Sequence, residues 1–313
     1  LERVYFPVSL TKVTAFGGTY TYNCGVQSEF IVAEGNPVLY TDNGCLYKNE
    51  SNKITLIGYP SAREATSLVI SNIDAVAEGI FCASTNLKEV KILGTETRPI
   101  TIEGGSLFRN SKQIKTVTLN EYVKINNASY FFQWCTSLDS INISNGATTS
   151  WYQSFDGASA LTEFTLSKDI AWVFCYAFQG TYALEKLKYD SSNAGIEYNS
   201  FGTEYYPRFD LVIGNNVDRL NETPNSNRGF STVASRAESV KFEGDNQITI
   251  DSGALKGAGA PLDELSGTVW VDTQGIVYLY DNTTKNAEVV YVSPGITNIV
   301  IPKEITPESG VTC

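Results

Sequence analysis

The side chains that carry most enzyme chemistry are either absent from this sequence or scattered along it. No histidine occurs among the 313 residues, which excludes Ser-His-Asp and Cys-His nucleophile systems and histidine-ligated metal sites. The six cysteines form no Cys-x-x-Cys pair, which favours small buried core residues over a metal or redox site. No phosphate-loop or calcium-loop motif is present. We therefore expect no catalytic residue, no metal and no cofactor.

The charge balance excludes two classes of partner. The chain has 23 basic and 34 acidic residues, a net charge of −11, whereas nucleic-acid binding needs a basic footprint. An anionic membrane surface is disfavoured for the same reason. No apolar run approaches the roughly 18 residues of a transmembrane helix, so this chain is not expected to insert into a membrane.

Residues suited to binding are more abundant than residues suited to catalysis. The segment 122–209 is rich in Trp and Tyr, whose flat apolar faces and polar edges suit sugar rings or protein contacts. Polar side chains also recur between the apolar residues of a repeated strand phrase. For the aromatic residues, the alternative is packing at the edge of the core. For the polar residues, the alternative is a solvated face that binds nothing. The candidate contacts are Trp134, Trp151, Tyr152, Trp172, Lys91, Asn142, Lys186 and Lys188.

A repeat predicts the elements that position these residues. A phenylalanine precedes an L-x-x-V-x-I/L phrase by six residues in five copies, and the phenylalanines follow one another at steps of 27, 24, 23, 23 and 23 residues. One such turn cannot bury its own apolar edge, so successive turns are expected to stack and pair their strands in parallel. The phenylalanines should fill the core from the opposite wall. They are Phe81, Phe108, Phe132, Phe155, Phe178 and Phe201.

The repeat resembles a known family. The phrase from Phe6 to Val13, F-P-V-S-L-T-K-V, and the tetrapeptide A-F-Q-G around Phe178 are similar to the BspA-like leucine-rich repeats. The resemblance implies a right-handed superhelical solenoid with a parallel β-sheet on its concave face, mostly β and irregular with few short helices. The sequence departs from the family pattern at one position. The family's cysteine three residues after the phenylalanine is present here only as Cys135. The other copies have Ser84, Ser111, Ala158 and Thr181.

We expect a single solenoid over residues 1–313, interrupted in three places. Two β-rich inserts near 30–60 and 268–294 are predicted to be β-hairpins, because Asn43-Gly44 is a strong two-residue hairpin turn. The segment 203–236 breaks the period and is expected to be irregular. Neither end shows a polar capping repeat, so repeats are expected beyond both boundaries.

These features favour a binding or adhesion module over an enzyme. The resemblance implies a secreted protein of the bacterial cell surface, for which a lipoprotein anchor outside this sequence is one means of attachment. Its expected partner is an extracellular protein or glycan, held by the concave sheet and neighbouring loops. Two other functions stay open: a polysaccharide-active β-solenoid enzyme, which would need gathered carboxylates on one sheet, and a spacer that presents another domain.

Overall fold

A computed structural model describes most of the chain and divides it into two compact units. Unit 1 comprises residues 1–162, 171–183 and 200–206, and unit 2 comprises residues 163–170, 184–199 and 207–313. The single solenoid over residues 1–313 stays a prediction. The described residues are 3–13, 28–143, 149–168, 170–173, 176–191, 195–197, 199–202, 208–222, 229–281, 283–284 and 286–301.

Nearly all regular structure in the described residues is β-strand, as the sequence predicted. One short α-helix, α1 (Ser231–Ala234), and one 3-10 turn (Leu262–Glu264) are the helical segments there. The strands are β1 (Arg3–Phe6), β2 (Glu29–Val32), β3 (Leu39–Asp42), β4 (Cys45–Glu50), β5 (Lys53–Gly58), β6 (Ser67–Ile70), β7 (Ala75–Val76), β8 (Glu89–Ile92), β9 (Ile100–Ile102), β10 (Thr116–Leu119), β11 (Val123–Ile125), β12 (Ser140–Ile143), β13 (Thr149–Trp151), β14 (Glu163–Leu166), β15 (Ile170–Val173), β16 (Lys186–Tyr189), β17 (Gly195–Ile196), β18 (Phe209–Ile213), β19 (Arg219–Leu220), β20 (Ala237–Phe242), β21 (Asn246–Ile250), β22 (Gly267–Val271), β23 (Ile276–Asp281) and β24 (Asn286–Val292).

In unit 1 the L-x-x-V-x-I phrase forms a parallel ladder. Strands β6, β8, β10 and β12 pair in that order, and Val117 lies opposite Val90 on one side and Ile141 on the other. Val90 and Val117 are fully buried, while the residues between the apolar positions face outward because side chains alternate across a strand. The predicted pairing and facing of the strand phrase are confirmed.

In unit 2 the same phrase forms a second ladder, in the order β14, β16, β18 and β20. Leu187 lies opposite Phe164 and Leu211. Strand β18 belongs to the segment predicted to be irregular, yet it pairs on both sides and has a register shift between Phe209 and Asp210. Residues 203–207 and 223–228 of that segment lie outside the described residues.

The phenylalanines of unit 1 stack in a column, as predicted. Their rings are nearly parallel between successive turns, with interplanar angles from 3° to 15°. The ring centroids are separated by 5.1 Å between Phe81 and Phe108, then by 5.4, 5.6, 5.2 and 5.3 Å down to Phe201. Column and ladder together give the chain the fold of a repeat β-solenoid. The handedness and the concave face stay predictions.

Each turn also contributes a second, shorter strand, and the inserts extend the sheet that these strands form. In unit 1, β5, β7, β9 and β11 pair in parallel, and β3 and β4 continue that sheet antiparallel. Asn43 and Gly44 form the predicted turn with φ of 45° and 68°. In unit 2, β22, β23 and β24 extend β21 in the same way. Both hairpins are confirmed, whereas the second parallel sheet that they extend was not predicted from the sequence.

The structure explains serine and threonine at the family's cysteine position, whereas nothing in it explains Ala158, which has no side-chain proton to donate. The hydroxyls of Ser84 and Thr181 donate to the carbonyl three residues earlier, at 2.8 and 2.7 Å. The Ser111 hydroxyl and the Cys135 thiol donate instead to the phenylalanine carbonyl of the preceding turn, Phe81 and Phe108 respectively. A small side chain with one proton to donate therefore satisfies a buried carbonyl, and serine, threonine or cysteine meets that requirement.

Two described cysteines should be unreactive in the folded chain. Cys45 and Cys135 are fully buried free thiols, and burial raises the pKa of Cys45 to about 11 and the pKa of Cys135 further. Because the thiolate is the reactive form, we expect no alkylation of either residue at mildly alkaline pH and complete alkylation in concentrated guanidinium, measured by peptide mass mapping. Alkylation of native Cys135 at the rate of a model thiol would contradict the described core.

Candidate binding surface

The polar residues predicted on the sheet of unit 1 do lie on its outer face. Lys91 of β8 is about half exposed and its ammonium lies 2.9 Å from a carboxylate oxygen of Glu89. Asn142 of β12 is exposed, and Thr118 lies opposite both Lys91 and Asn142. This face is polar and mixed in charge, and Glu89 compensates the charge of Lys91.

The lysines predicted on the sheet of unit 2 are compensated as well. The Lys188 ammonium lies 2.9 Å from Glu243, and that hydrogen bond holds the pKa of the Glu243 carboxyl below its ordinary value. Lys241 lies 3.7 Å from the same carboxylate, and Lys186 lies 3.9 Å from Glu163. Exposed pairs of this kind contribute little to stability, and they leave no uncompensated basic patch on the described face.

The predicted aromatic contacts do not form one set. Trp151 is 1% exposed and stacks on Phe155 with a centroid distance of 5.3 Å, so it belongs to the core and we remove it from the candidate surface. The side chain of Trp172 lies outside the described residues. Tyr152 is half-buried and Trp134 is 42% exposed. Trp134 and Tyr152 therefore remain as candidates, and both belong to unit 1.

Trp134 occupies a backbone position that suits glycine. Two residues after each of the column phenylalanines from Phe81 to Phe178 the chain has a positive φ, which is 54° at Ala83, 62° at Asn110, 61° at Trp134, 75° at Gly157 and 74° at Gly180. A ladder of backbone hydrogen bonds enforces this conformation, since the Trp134 amide donates to the Asp156 carbonyl of the next turn at 2.7 Å. The left-handed region costs about 1–2 kcal/mol for a residue with a Cβ. A large side chain is therefore held here against the backbone preference.

The neighbouring turns accommodate the indole of Trp134. A Cβ added to Gly157 would lie 2.7 Å from Cδ1 of Trp134, so the absence of a side chain in the next turn leaves room for the ring. From the preceding turn, the guanidinium carbon of Arg109 lies 5.1 Å from the Trp134 ring centroid and 4.9 Å from that of Tyr130. A cation over two rings is stabilising and fixes their orientation.

Tyr130 extends this arrangement to Tyr152. Their ring centroids are 5.3 Å apart and the rings meet edge to face at 82°, a favoured geometry for aromatic pairs. The Tyr130 amide donates to the Tyr152 carbonyl at 2.8 Å, so the backbone ladder also fixes their spacing. We call Arg109, Tyr130, Trp134 and Tyr152 the aromatic platform.

Polar groups border the platform. The side-chain amide nitrogen of Gln133 donates to the Asp156 carboxylate at 2.9 Å, and Gln133 itself is 3% exposed. Burial raises the pKa of the Asp156 carboxyl above its ordinary value, while the Gln133 hydrogen bond and Arg109 oppose that rise. Burial also lowers the pKa of Arg109, although a guanidinium stays protonated at physiological pH. Arg109 thus lies over the exposed indole, and the Asp156 carboxylate is near enough to Arg109 to interact with it electrostatically.

Trp134 and Tyr152 were predicted as contacts from the sequence, whereas Arg109 and Tyr130 were not. The signal was present in the repeat register, because residues at the same offset from the column phenylalanine lie side by side in successive turns. Arg109 and Gln133 follow Phe108 and Phe132 directly, so Arg109 is a neighbour of the Trp134 turn. Reading the columns across the turns places Arg109 beside Gln133, in the turn that carries Tyr130 and Trp134, whereas its position over the two rings is decided by the side-chain packing.

Among the described residues, no group of three or more Cys, Asp or Glu side chains is arranged to hold a metal ion. Among the same residues, no helix has the length and apolar character needed to cross a bilayer.

Several solved structures are similar to this chain. The chain is similar to a leucine-rich cell surface protein from Faecalibacterium prausnitzii (18% identity, 78% of this chain and 48% of that chain, TM-score 0.40). It is also similar to a leucine-rich repeat protein from Eubacterium ventriosum (20%, 82% and 58%, 0.49) and to the pneumococcal vaccine antigen PcpA (15%, 68% and 51%, 0.45). The chain spans about half the length of these structures.

The family comparison is more direct. No curated protein matches the chain. Six copies of the BspA type leucine-rich repeat region match it, over residues 22–127 and 75–206, which together span more than half of the sequence. The chain belongs to the BspA type leucine-rich repeat family.

Proposed function

We propose that this chain is a non-enzymatic binding module of a bacterial cell surface, and that the aromatic platform of unit 1 is its contact site. Family membership supports the surface location. The platform supports the binding role, because Trp and Arg in preformed arrangements are the side chains that dominate binding energies. The lysines and carboxylates of the described sheet faces form exposed ion pairs, as on an ordinary solvated surface. Such pairs do not resemble the gathered carboxylates that a polysaccharide-active enzyme would need.

One observation carries the proposal. Trp134 keeps 42% of its surface exposed while its backbone adopts a φ of 61°, where glycine would be more stable. Neither core packing nor turn geometry requires an indole there, since Gly157 and Gly180 occupy the same position in the next two turns. Strained residues of this kind concentrate at functional sites, because function maintains a conformation that stability does not.

Trp134→Gly should separate binding from folding. The variant restores the residue that the turn prefers, so we expect its thermal midpoint to stay within about 4 °C of the parent, equivalent to about 1 kcal/mol or less. Binding to the strongest ligand on an array of extracellular proteins, glycoproteins and polysaccharides should fall by about tenfold or more, as for the loss of a hot-spot tryptophan.

A matched control makes this result specific. Tyr182 is 62% exposed in a later turn and is not part of the platform, so Tyr182→Ala should leave both the midpoint and the array signal unchanged. Equal binding by the parent and by Trp134→Gly would show that the platform is not the contact site. A blank array for the folded parent would count against a binding module.

A further inference from the structure

We propose that the aromatic platform binds an uncharged chain of pyranose sugars, stacked on Trp134 and hydrogen-bonded at its edge. This inference rests on the proposed function and specifies the ligand of the same site. It follows from the shape, the size and the charge of the platform.

The shape of the platform matches a chain of rings. Its residues come from three successive turns, which contribute Arg109, then Tyr130 and Trp134, then Tyr152. The column phenylalanines of these turns are 5.4 and 5.6 Å apart, a step comparable to the length of one sugar unit in an extended glycan. A pyranose presents a face of C–H groups that packs on an aromatic ring, whereas its hydroxyls lie around the rim and need polar partners.

The size of the platform favours a small ring ligand over a protein. A stable protein interface buries about 800 Å² on each partner and has a contiguous apolar centre. Between residues 103 and 202, the large apolar side chains that are more than a third exposed in the described part of the chain are Trp134 and Tyr182. One exposed indole with two half-buried tyrosines beside it is enough for a short run of sugar rings.

The charge of the platform favours an uncharged sugar. Arg109 supplies hydrogen-bond donors and Asp156 supplies acceptors, and the two interact electrostatically, so the site is close to neutral. A hydroxyl both donates and accepts, and can therefore use both groups. A uronic or sialic acid would place a second carboxylate near Asp156, on a chain whose net charge is −11, and would be repelled.

The experiment is a titration of the parent chain with oligosaccharides, followed by tryptophan fluorescence and by calorimetry. The neutral probes are cello-, xylo- and manno-oligosaccharides, and the acidic probes are oligogalacturonate and sialyllactose. We expect at least one neutral series to change the emission saturably, with affinity rising from one to three sugar units. In Trp134→Gly the emission change should disappear and the affinity should fall about tenfold or more.

A second variant tests the charge argument. Asp156→Asn keeps an oxygen to accept the Gln133 hydrogen bond but removes the negative charge, so the affinity for acidic sugars should rise by about threefold or more relative to the affinity for neutral sugars. Tighter binding of acidic than of neutral sugars to the parent would overturn the inference.

The outcomes distinguish this inference from the proposed function. If the parent binds a protein on the array, and no neutral oligosaccharide competes or alters the fluorescence, the sugar assignment is wrong and the binding module stands. If the folded parent binds nothing on the array and no oligosaccharide, both are wrong. An unchanged circular dichroism spectrum for each variant shows that a lost signal reflects the site.

Discussion

Phe155→Ala is expected to lower the free energy of unfolding by about 3–5 kcal/mol, the usual cost of removing a buried aromatic ring. Phe155 is fully buried, and its ring stacks on Phe132, Trp151 and Phe178 at centroid distances of 5.6, 5.3 and 5.2 Å. Removal of the ring leaves a cavity between two turns that the backbone ladders hold in place, so the column cannot close. Equilibrium unfolding in guanidinium measures the loss.

Two comparisons make the Phe155 result interpretable. Phe155→Leu fills most of the space and should lose less than half as much stability, because volume-conserving changes are tolerated best. Tyr182→Ala, at an exposed position, should stay within about 0.5 kcal/mol of the parent. A Phe155→Ala chain as stable as Tyr182→Ala would show that the phenylalanine column does not form in solution.

Val117→Asp is expected to unfold unit 1, whereas Thr118→Asp should be tolerated. Val117 is fully buried in a central strand between Val90 and Ile141, and a carboxylate there would lose its hydration without gaining a partner. That penalty is several kcal/mol, a large fraction of the 5–15 kcal/mol that stabilises an ordinary domain. Circular dichroism and the fraction of soluble protein measure the effect.

Thr118 is the matched control because it lies one residue further along the same strand. Its side chain points to the opposite face and its ladder neighbour is Lys91, so an aspartate there meets water and a cation. We expect a change within about 0.5 kcal/mol. Similar destabilisation by both substitutions would mean that β10 is buried on both faces, which would contradict the described pleat.

The fold was predictable from the sequence because the repeat is local and strict. Six phenylalanines at near-constant spacing, five of them with a strand phrase at a fixed offset, leave the stacking of turns as the way to bury both the rings and the strand residues. The hairpin turn at Asn43-Gly44 was also readable, since its two positive φ values suit those residue types. The second parallel sheet was missed because its strands are short. A strand such as β7, with two residues, is too short to show the alternation of apolar and polar residues by which a strand is recognised.

The site was only partly predictable, because exposure depends on contacts between turns. Trp134 and Trp151 are the same residue type in successive turns, yet one is 42% exposed and the other is 1% exposed. Trp151 ends a short strand and points onto Phe155, whereas Trp134 lies in a turn with a positive φ that directs its side chain outward. Composition and spacing do not distinguish these two environments.

The sequence by itself determined the repeat, the strand facing, the phenylalanine column and the absence of histidine chemistry, because these depend on residue type and spacing along one chain. The tertiary structure decided which aromatic rings reach the surface, that Lys188 is paired with Glu243, and that Arg109 lies over Tyr130 and Trp134. These contacts join residues 21 to 55 positions apart in the sequence. Only the stacking of turns brings them within a few ångströms of one another.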